Sequence, residues 1–180
     1  LQATLQTVLY LTVPVSILMF ALSPQIVVAV FEHGRFGVTD SEITAQCLRM
    51  FSLGIFAWCL HPVLMRGFFS MQRTTTPIIL GTATTAVFLA LVFSLRQTKL
   101  EYLSLPLASS ISAVVLVALL GAAIHKASGG LKRRELGMVF LKTLGCSALV
   151  GAVAVAALQA TQDWSWAPRK IQAVGELAVV

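Results

Sequence analysis

The chain has 180 residues, of which 57% are hydrophobic and only 11% are charged, whereas soluble domains are typically about 45–50% apolar and about 25% charged. The formal net charge is +6, but the basic residues lie mainly in the links between apolar blocks, where they fit loops that face anionic lipid headgroups. No basic run is interleaved with aromatic residues, so the sequence disfavours nucleic-acid binding. The composition therefore excludes an ordinary soluble domain and indicates a membrane protein.

The apolar residues are collected in long blocks with few charges. A helix needs about 20 residues to cross the hydrocarbon core, and backbone groups in lipid must be satisfied internally. Barrel strands would be about 10 residues long with alternating polarity, unlike these blocks. We predict an all-α, polytopic transmembrane helix bundle in which residues 1–180 form a single transmembrane domain with about five complete spans and the start of a sixth.

The first block runs from Leu5 to Phe31 and contains Pro14 and Pro24. Because proline removes a backbone hydrogen bond, we expect each of these two prolines to produce either a packing kink or a bend that shapes a cavity. The polar corner that follows predicts a helix start, with Asp40 or Ser41 as the N-cap or with Thr39 and Glu42 as a capping box. In the same corner, Glu32, His33 and Arg35 are interpreted as solvated or headgroup-facing charges, with a role in gating as the alternative.

The second block runs from Ile43 to Phe69 and contains His61. A histidine inside a span is costly enough to be a functional candidate, although its imidazole could instead bond a carbonyl that Pro62 leaves without a donor. The block also predicts a close helix approach at Gly54. Two arginines, Arg49 and Arg66, lie near its ends, and we expect both side chains to extend toward the nearer membrane interface.

The third block runs from Ile78 to Leu95, after a second polar corner that contains Arg73. This corner predicts a threonine hydroxyl at the N-cap and Pro77 at the first helical position. The small and hydroxyl-bearing residues of the block are typical of helix–helix contacts; they are Gly81, Thr82, Thr84 and Thr85.

The fourth and fifth blocks span Leu105–Ile124 and Met138–Leu158, and Ile171–Val180 resembles the start of a sixth. Tyr102, Trp164 and Trp166 are interpreted as interfacial aromatic residues. The densest basic cluster lies between blocks four and five, which favours a cytoplasmic position for that loop. Because the chain starts with Leu and ends inside an apolar segment, we expect it to be an internal piece of a longer protein.

The sequence contains no Ser-His-Asp set, HExxH motif, phosphate-binding glycine loop or paired carboxylates. Its three cysteines, Cys47, Cys59 and Cys146, have no metal-ligand spacing and are interpreted as small buried hydrophobic residues. We therefore predict neither an enzyme nor a site for a cofactor or metal. Bent helices, small contact residues and cations near a cavity mouth are instead what a carrier of a large amphipathic molecule needs.

The order of residues between Pro14 and Pro77 resembles the C-terminal half of the MurJ/MviN family of lipid II flippases, within the multidrug/oligosaccharidyl-lipid/polysaccharide exporter superfamily. The pattern that carries the resemblance consists of Pro14, residues 30–36, Asp40, Thr44, Leu48, Gly54, residues 63–69 and the Thr76–Pro77 pair.

The resemblance implies a transporter of fourteen helices in two lobes, with this chain a fragment of the C-terminal lobe that packs on the N-terminal lobe. It implies alternating access that moves undecaprenyl-linked peptidoglycan precursor across the bacterial inner membrane, with membrane lipids and that precursor as partners. Some members carry an Asn or Asp late in the helix corresponding to block three, tied to sodium binding; this chain has only apolar residues over 87–92, which disfavours sodium coupling there. The candidate residues of the substrate path are Arg66, Arg73, Glu32, Arg35 and His61.

Three alternatives stay open on the sequence. A related exporter could carry another polysaccharide lipid or a drug. A membrane enzyme that acts on polyprenyl lipids would need acid and histidine pairs that the chain does not have. A non-catalytic structural membrane segment would not need the pattern between residues 31 and 77.

Overall fold

The computed structural model describes residues 1–31, 37–97, 102–128, 133–161 and 177. Within those ranges the chain is helical and has no strand. The seven helices are α1 (Gln2–Ala21), α2 (Ser23–Phe31), α3 (Val38–Ser52), α4 (Ile55–Ser70), α5 (Thr75–Arg96), α6 (Ser104–Ser128) and α7 (Arg133–Thr161).

Four of these helices, α1, α5, α6 and α7, are long and apolar enough to cross a membrane, and α3 with α4 makes a fifth span if the bent pair counts as one. The prediction of an all-α, multi-pass membrane protein with about five spans is thereby confirmed. Several residues that the sequence singled out lie outside the described residues: Glu32, His33, Arg35, Trp164, Trp166 and nearly all of the sixth apolar segment.

The core of the bundle lies where α1, α4 and α6 meet. Its buried residues are Leu5, Leu9 and Val13 from α1, Leu60, Leu64 and Phe68 from α4, and Leu120 and Ile124 from α6. Around this core, α7 packs on α1, α5 packs on α6, and α3 contacts α1, α2 and α6. Helices in lipid associate mainly by close packing. The centre of the bundle accordingly consists of closely packed apolar side chains.

Two of the predicted blocks are each split into two helices. The first block breaks at Leu22, while Pro14 lies inside α1 without ending it. The second block breaks at Leu53–Gly54, where α3 and α4 meet at an angle of 41°, and Pro62 lies inside α4. Proline within a membrane helix is tolerated where neighbours compensate for the lost bond. The break in the first block therefore lies two residues before Pro24, which occupies the first turn of α2 and coincides with the bend predicted there. The break in the second block falls at Gly54 and not at Pro62.

The starts of α3 and α5 differ from their predictions. The N-cap of α3 is Gly37, and Asp40 lies three residues into the helix, where its Oδ2 accepts a 3.1 Å hydrogen bond from the Gly37 N–H. The Asp40 carboxylate thus bonds the N–H of the N-cap residue Gly37, which has no partner within the helix, although Asp40 is not itself the N-cap. Helix α5 begins at Thr75, so Pro77 is its third residue, and the N-cap Thr74 makes no side-chain capping bond.

The cysteines only partly match their predicted burial. All three thiols are unpaired; Cys47 and Cys59 are half-buried, whereas Cys146 is exposed on α7. The prediction was wrong for Cys146 because α7 packs chiefly on α1 among the described helices and leaves its other faces uncovered.

Candidate functional site

A cavity of about 240 Å³ lies between α4, α5 and α6. We call it the His61 cavity. Its walls combine aromatic rings with hydroxyl groups, and the side chains that define its chemistry are Trp58 and His61 from α4, Thr84, Thr85 and Phe88 from α5, and Ser109 and Ser112 from α6. The cavity wall is therefore mostly apolar and carries a few polar groups; it lies between two helices that could each cross a membrane, α5 and α6, and the α4 half of the bent α3–α4 pair.

All four hydroxyl groups of the His61 cavity donate their protons to carbonyls of their own helices. Thr84 bonds the carbonyl of Leu80 at 2.8 Å and Thr85 bonds that of Gly81 at 3.0 Å. On α6, both serine hydroxyls do the same at 2.8 and 2.7 Å. A hydroxyl that has donated its proton keeps its acceptor lone pairs. In this arrangement the hydroxyl oxygens therefore offer a bound molecule hydrogen-bond acceptors.

His61 lies half-buried in the wall of this cavity, three residues after Trp58 on α4. The sequence left open a hydrogen bond from its imidazole to a carbonyl freed by Pro62, but no such bond is found among the described residues. Residues three apart lie on the same face of a helix. The two rings therefore form one wall of the cavity.

Arg66 and Arg73 lie at one end of the bundle, and both are exposed. Gly67, next to Arg66, is so close to the start of the chain that an added Cβ would lie 3.0 Å from Leu1 Cδ2 and 3.3 Å from Ile124 Cδ1. The end of α4, the start of α1 and the end of α6 therefore meet at this end of the bundle.

The turn after α4 fixes where Arg73 emerges. Gln72 has a φ of 54°, and its N–H bonds the Phe69 carbonyl at 3.0 Å while the Arg73 N–H bonds the Phe68 carbonyl at 3.1 Å. These two bonds are the Schellman pattern that ends many helices, with glutamine at the position that usually holds glycine. Arg73 is thereby held directly at the end of α4.

Arg49 is the sequence candidate whose environment differs most from its prediction. Its Nε donates a 2.9 Å hydrogen bond to the buried Ser23 Oγ of α2, so the side chain is held within the helix pair and does not extend freely to the interface. A small polar cleft of about 160 Å³ lies beside it, and Glu42 and Gln46 contribute to its walls. The sequence marked Arg49 as a charge in an apolar block but gave no sign of Ser23 as its partner.

A second, apolar groove of about 430 Å³ lies between α1, α4, α6 and α7. Its walls consist of aliphatic and aromatic side chains, among them Leu5, Leu9, Phe56, Leu136 and Phe140. The two rings, Phe56 and Phe140, are in tilted contact with centroids 5.4 Å apart. Such a surface is suited to hydrocarbon and offers nothing to a charged group.

The described residues contain no group of three or more His, Cys, Asp or Glu side chains that could hold a metal ion. The sequence analysis singled out His61 as a functional candidate and Thr84 and Thr85 as helix-contact residues, but it did not predict that they share a cavity. The cavity forms only when the packing of α4, α5 and α6 brings these residues together with Trp58 and Ser112. The only available signal was the spacing of Trp58 and His61, which places both rings on one helix face.

The family model and the relatives that match this chain carry the same description. The family model described as lipid II flippase MurJ matches residues 1–172. The chain is 32% identical over 155 residues to a probable lipid II flippase MurJ of Bdellovibrio bacteriovorus, covering 84% of this chain and 28% of that protein. It is 28% identical over 142 residues to a probable lipid II flippase MurJ of Haemophilus influenzae, covering 79% of this chain and 28% of that protein.

The fold is similar to a solved structure described as lipid II flippase MurJ in an inward closed conformation. The TM-score is 0.74 at 20% sequence identity, and the match covers 99% of this chain and 35% of that one. The chain therefore spans roughly a third or less of the proteins that it matches, and at this identity the structural match bears on the fold alone.

Proposed function

Because the chain belongs to the MurJ family of lipid II flippases, we propose that the protein containing it moves lipid II across the bacterial inner membrane. In this proposal the chain is part of the C-terminal lobe of a fourteen-helix carrier and works with an N-terminal lobe by alternating access. The undecaprenyl-linked peptidoglycan precursor passes from the cytoplasmic to the periplasmic leaflet, and no covalent step is involved.

The observation that carries this proposal is the family match over residues 1–172. Two features of the bundle support it. Lipid II joins a polar head to a long polyprenyl chain, and the bundle contains a mostly apolar cavity with an imidazole and several hydroxyl groups in its wall, and a separate groove with entirely apolar walls. Within a bilayer, apolar surfaces associate by close packing and not by exclusion of water, so an apolar groove can hold a hydrocarbon chain by contact along its length.

We propose that the His61 cavity contacts the polar part of the cargo during transport. Its hydroxyl oxygens can accept hydrogen bonds from a sugar or amide group, and the rings of Trp58 and His61 offer flat surfaces for packing. Arg66 and Arg73 are proposed to act at the cytoplasmic mouth, where cations attract an anionic headgroup. For Glu32 and Arg35, a place on the substrate path stays a prediction from the sequence.

The test uses the full-length gene in a bacterium depleted of its own flippase. We expect the unmutated gene to restore growth and the appearance of lipid II on the outer leaflet, measured by labelling at the cell surface. Failure to restore either at normal expression would reject the function.

A second comparison tests the proposed cavity. His61→Ala should lower the rate at which lipid II appears by at least about tenfold, which corresponds to about 1.4 kcal/mol of lost transition-state stabilisation. Thr82→Ala, an exposed α5 residue outside the cavity whose hydroxyl bonds its own helix, is the matched control. Equal rates for the two variants would remove His61 from the substrate path.

A further inference from the structure

At the bend between α3 and α4, one backbone carbonyl accepts a hydrogen bond from the neighbouring helix α6. Within a regular helix, the Gly54 N–H would bond the Met50 carbonyl four residues earlier. Here the Gly54 N–H bonds the Phe51 carbonyl at 2.9 Å. The Met50 carbonyl therefore loses its usual donor at the break.

Ser110 of α6 supplies the missing donor. Its hydroxyl donates to the Met50 carbonyl at 2.7 Å and is also 3.5 Å from the Phe51 carbonyl. Ser110 is 3% exposed. In a membrane interior an unsatisfied backbone carbonyl costs several kcal/mol, so this bond favours the broken geometry over alternatives that leave Met50 unpaired.

Gly54 makes the bond sterically possible. A Cβ at position 54 would lie 2.9 Å from both the Cα and the Oγ of Ser110. Any side chain at this position would push the two helices apart, because the nearest atoms include backbone. The predicted close approach at Gly54 is thereby confirmed, and its partner is Ser110.

Two further contacts join α3 to the residues just before α6. The Tyr102 hydroxyl donates to Gln46 Oε1 at 2.9 Å, and the Cys47 thiol lies 3.9 Å from the Tyr102 carbonyl. By contrast, α4 meets α6 through apolar packing in the core. Helix α6 thus holds the α3 half of the span by polar bonds and the α4 half by apolar contact.

We propose that Ser110 is a positioning residue for transport, because it sets the bend that places α4 against the His61 cavity. Trp58 and His61 lie one and two turns beyond Gly54 on α4, and Ser109 and Ser112, which lie on either side of Ser110, line the opposite wall. A change in the bend therefore moves one wall of the cavity relative to the other. The link to transport rests on the proposed function, whereas the bend itself does not.

The test measures the bend in the full-length protein by the distance between spin labels on Thr39→Cys and Ser70→Cys, in a background without other cysteines. Both residues are exposed and lie near the outer ends of α3 and α4. With about 1.5 Å of rise per residue, each arm is about 23 Å long, so a change of about 20° in the bend moves the labels by about 3 Å. We expect Ser110→Ala to shift or broaden the distance distribution by this amount.

The matched control is Ser109→Ala, which removes a neighbouring hydroxyl that bonds only its own helix, and which should leave the distance unchanged. Gly54→Ala acts on the same contact from the other side and should shift the distance, whereas Gly81→Ala, whose added Cβ meets no atom within 4 Å, should not. Identical distributions for Ser110→Ala, Gly54→Ala and the unmutated protein would overturn the proposal.

Measuring lipid II transport by the same variants distinguishes a failure of the positioning role of Ser110 from a failure of the flippase function. We expect Ser110→Ala to lower the rate of lipid II appearance by about fivefold or more at equal expression, the loss expected for about 1 kcal/mol. A changed distance with an unchanged rate would overturn the positioning role alone. If the unmutated protein moves no lipid II, the flippase function fails, and the distance measurement still decides whether Ser110 sets the bend.

Discussion

The side-chain amide of Gln2 donates a 2.7 Å hydrogen bond to Glu135 Oε2, which joins the start of α1 to the start of α7. Hydrogen bonds to charged groups contribute about 1.5–3 kcal/mol. We expect Glu135→Ala to lower the free energy of unfolding of the full-length protein by about 1–2 kcal/mol, measured by thermal unfolding in detergent. Glu135→Gln, which keeps an acceptor oxygen, should lose less; an equal loss in both variants would show that this bond is not the cause.

Gly151 allows α7 to approach α1 closely, because a Cβ there would lie 2.8 Å from Ile17 Cγ2. We expect Gly151→Ala to lower the unfolding temperature in detergent through forced separation of the two helices. Overpacking of this kind costs typically about 1–3 kcal/mol. Gly145→Ala is the control on the same helix, since its added methyl would meet no atom within 4 Å. Equal unfolding temperatures for the two variants would contradict the close contact.

Ser147 is a buried polar residue without a described partner. It is 2% exposed, and its Oγ has no hydrogen bond. Because a buried unsatisfied group costs about 1–3 kcal/mol, we expect Ser147→Ala to raise the free energy of unfolding by about 1 kcal/mol. Thr143→Ala removes a buried hydroxyl that bonds the Val139 carbonyl at 2.8 Å, and it should give no such gain. A loss of stability in Ser147→Ala would reveal a partner for its hydroxyl.

Arg66 and Arg73 should tolerate charge reversal less well than Arg96 at the opposite end of α5. Each basic residue near an anionic membrane surface contributes about 1 kcal/mol, so Arg66→Glu or Arg73→Glu should slow lipid II appearance by at least about fivefold. All three residues are exposed, which makes folding defects a small part of the comparison. The measurement is surface labelling in the flippase-depleted bacterium at matched expression, and equal rates for all three would argue against the cytoplasmic mouth.

Much of the fold could be predicted from the sequence because membrane spans are set by length and apolar content. The third block, predicted over Ile78–Leu95, is helix Thr75–Arg96, and the fourth, predicted over Leu105–Ile124, is helix Ser104–Ser128. These helices are specified locally by the requirement that lipid-buried backbone groups bond within the helix. Their existence does not depend on the identity of their neighbours.

The break in the first block coincides with Pro24, where a kink or bend was predicted, but the break in the second block could not be predicted in the same way. Proline was the visible signal, yet the span that contains Pro62 breaks at Gly54, because Ser110 of another helix bonds the Met50 carbonyl. That bond joins residues sixty positions apart. The same limit applies to the His61 cavity, whose other walls come from α5 and α6.

The partnership of Arg49 with Ser23 also bears on how the chain enters the bilayer during synthesis. Helix α3 qualifies as a span only together with α4, and an arginine in an inserting segment costs up to about 2.5–3.5 kcal/mol on the translocon scale, the value that applies at the centre of the segment. The Ser23 hydroxyl on the preceding helix gives that guanidinium a polar neighbour at 2.9 Å. Cotranslational insertion of α2, α3 and α4 as one unit would therefore be easier than insertion of α3 by itself.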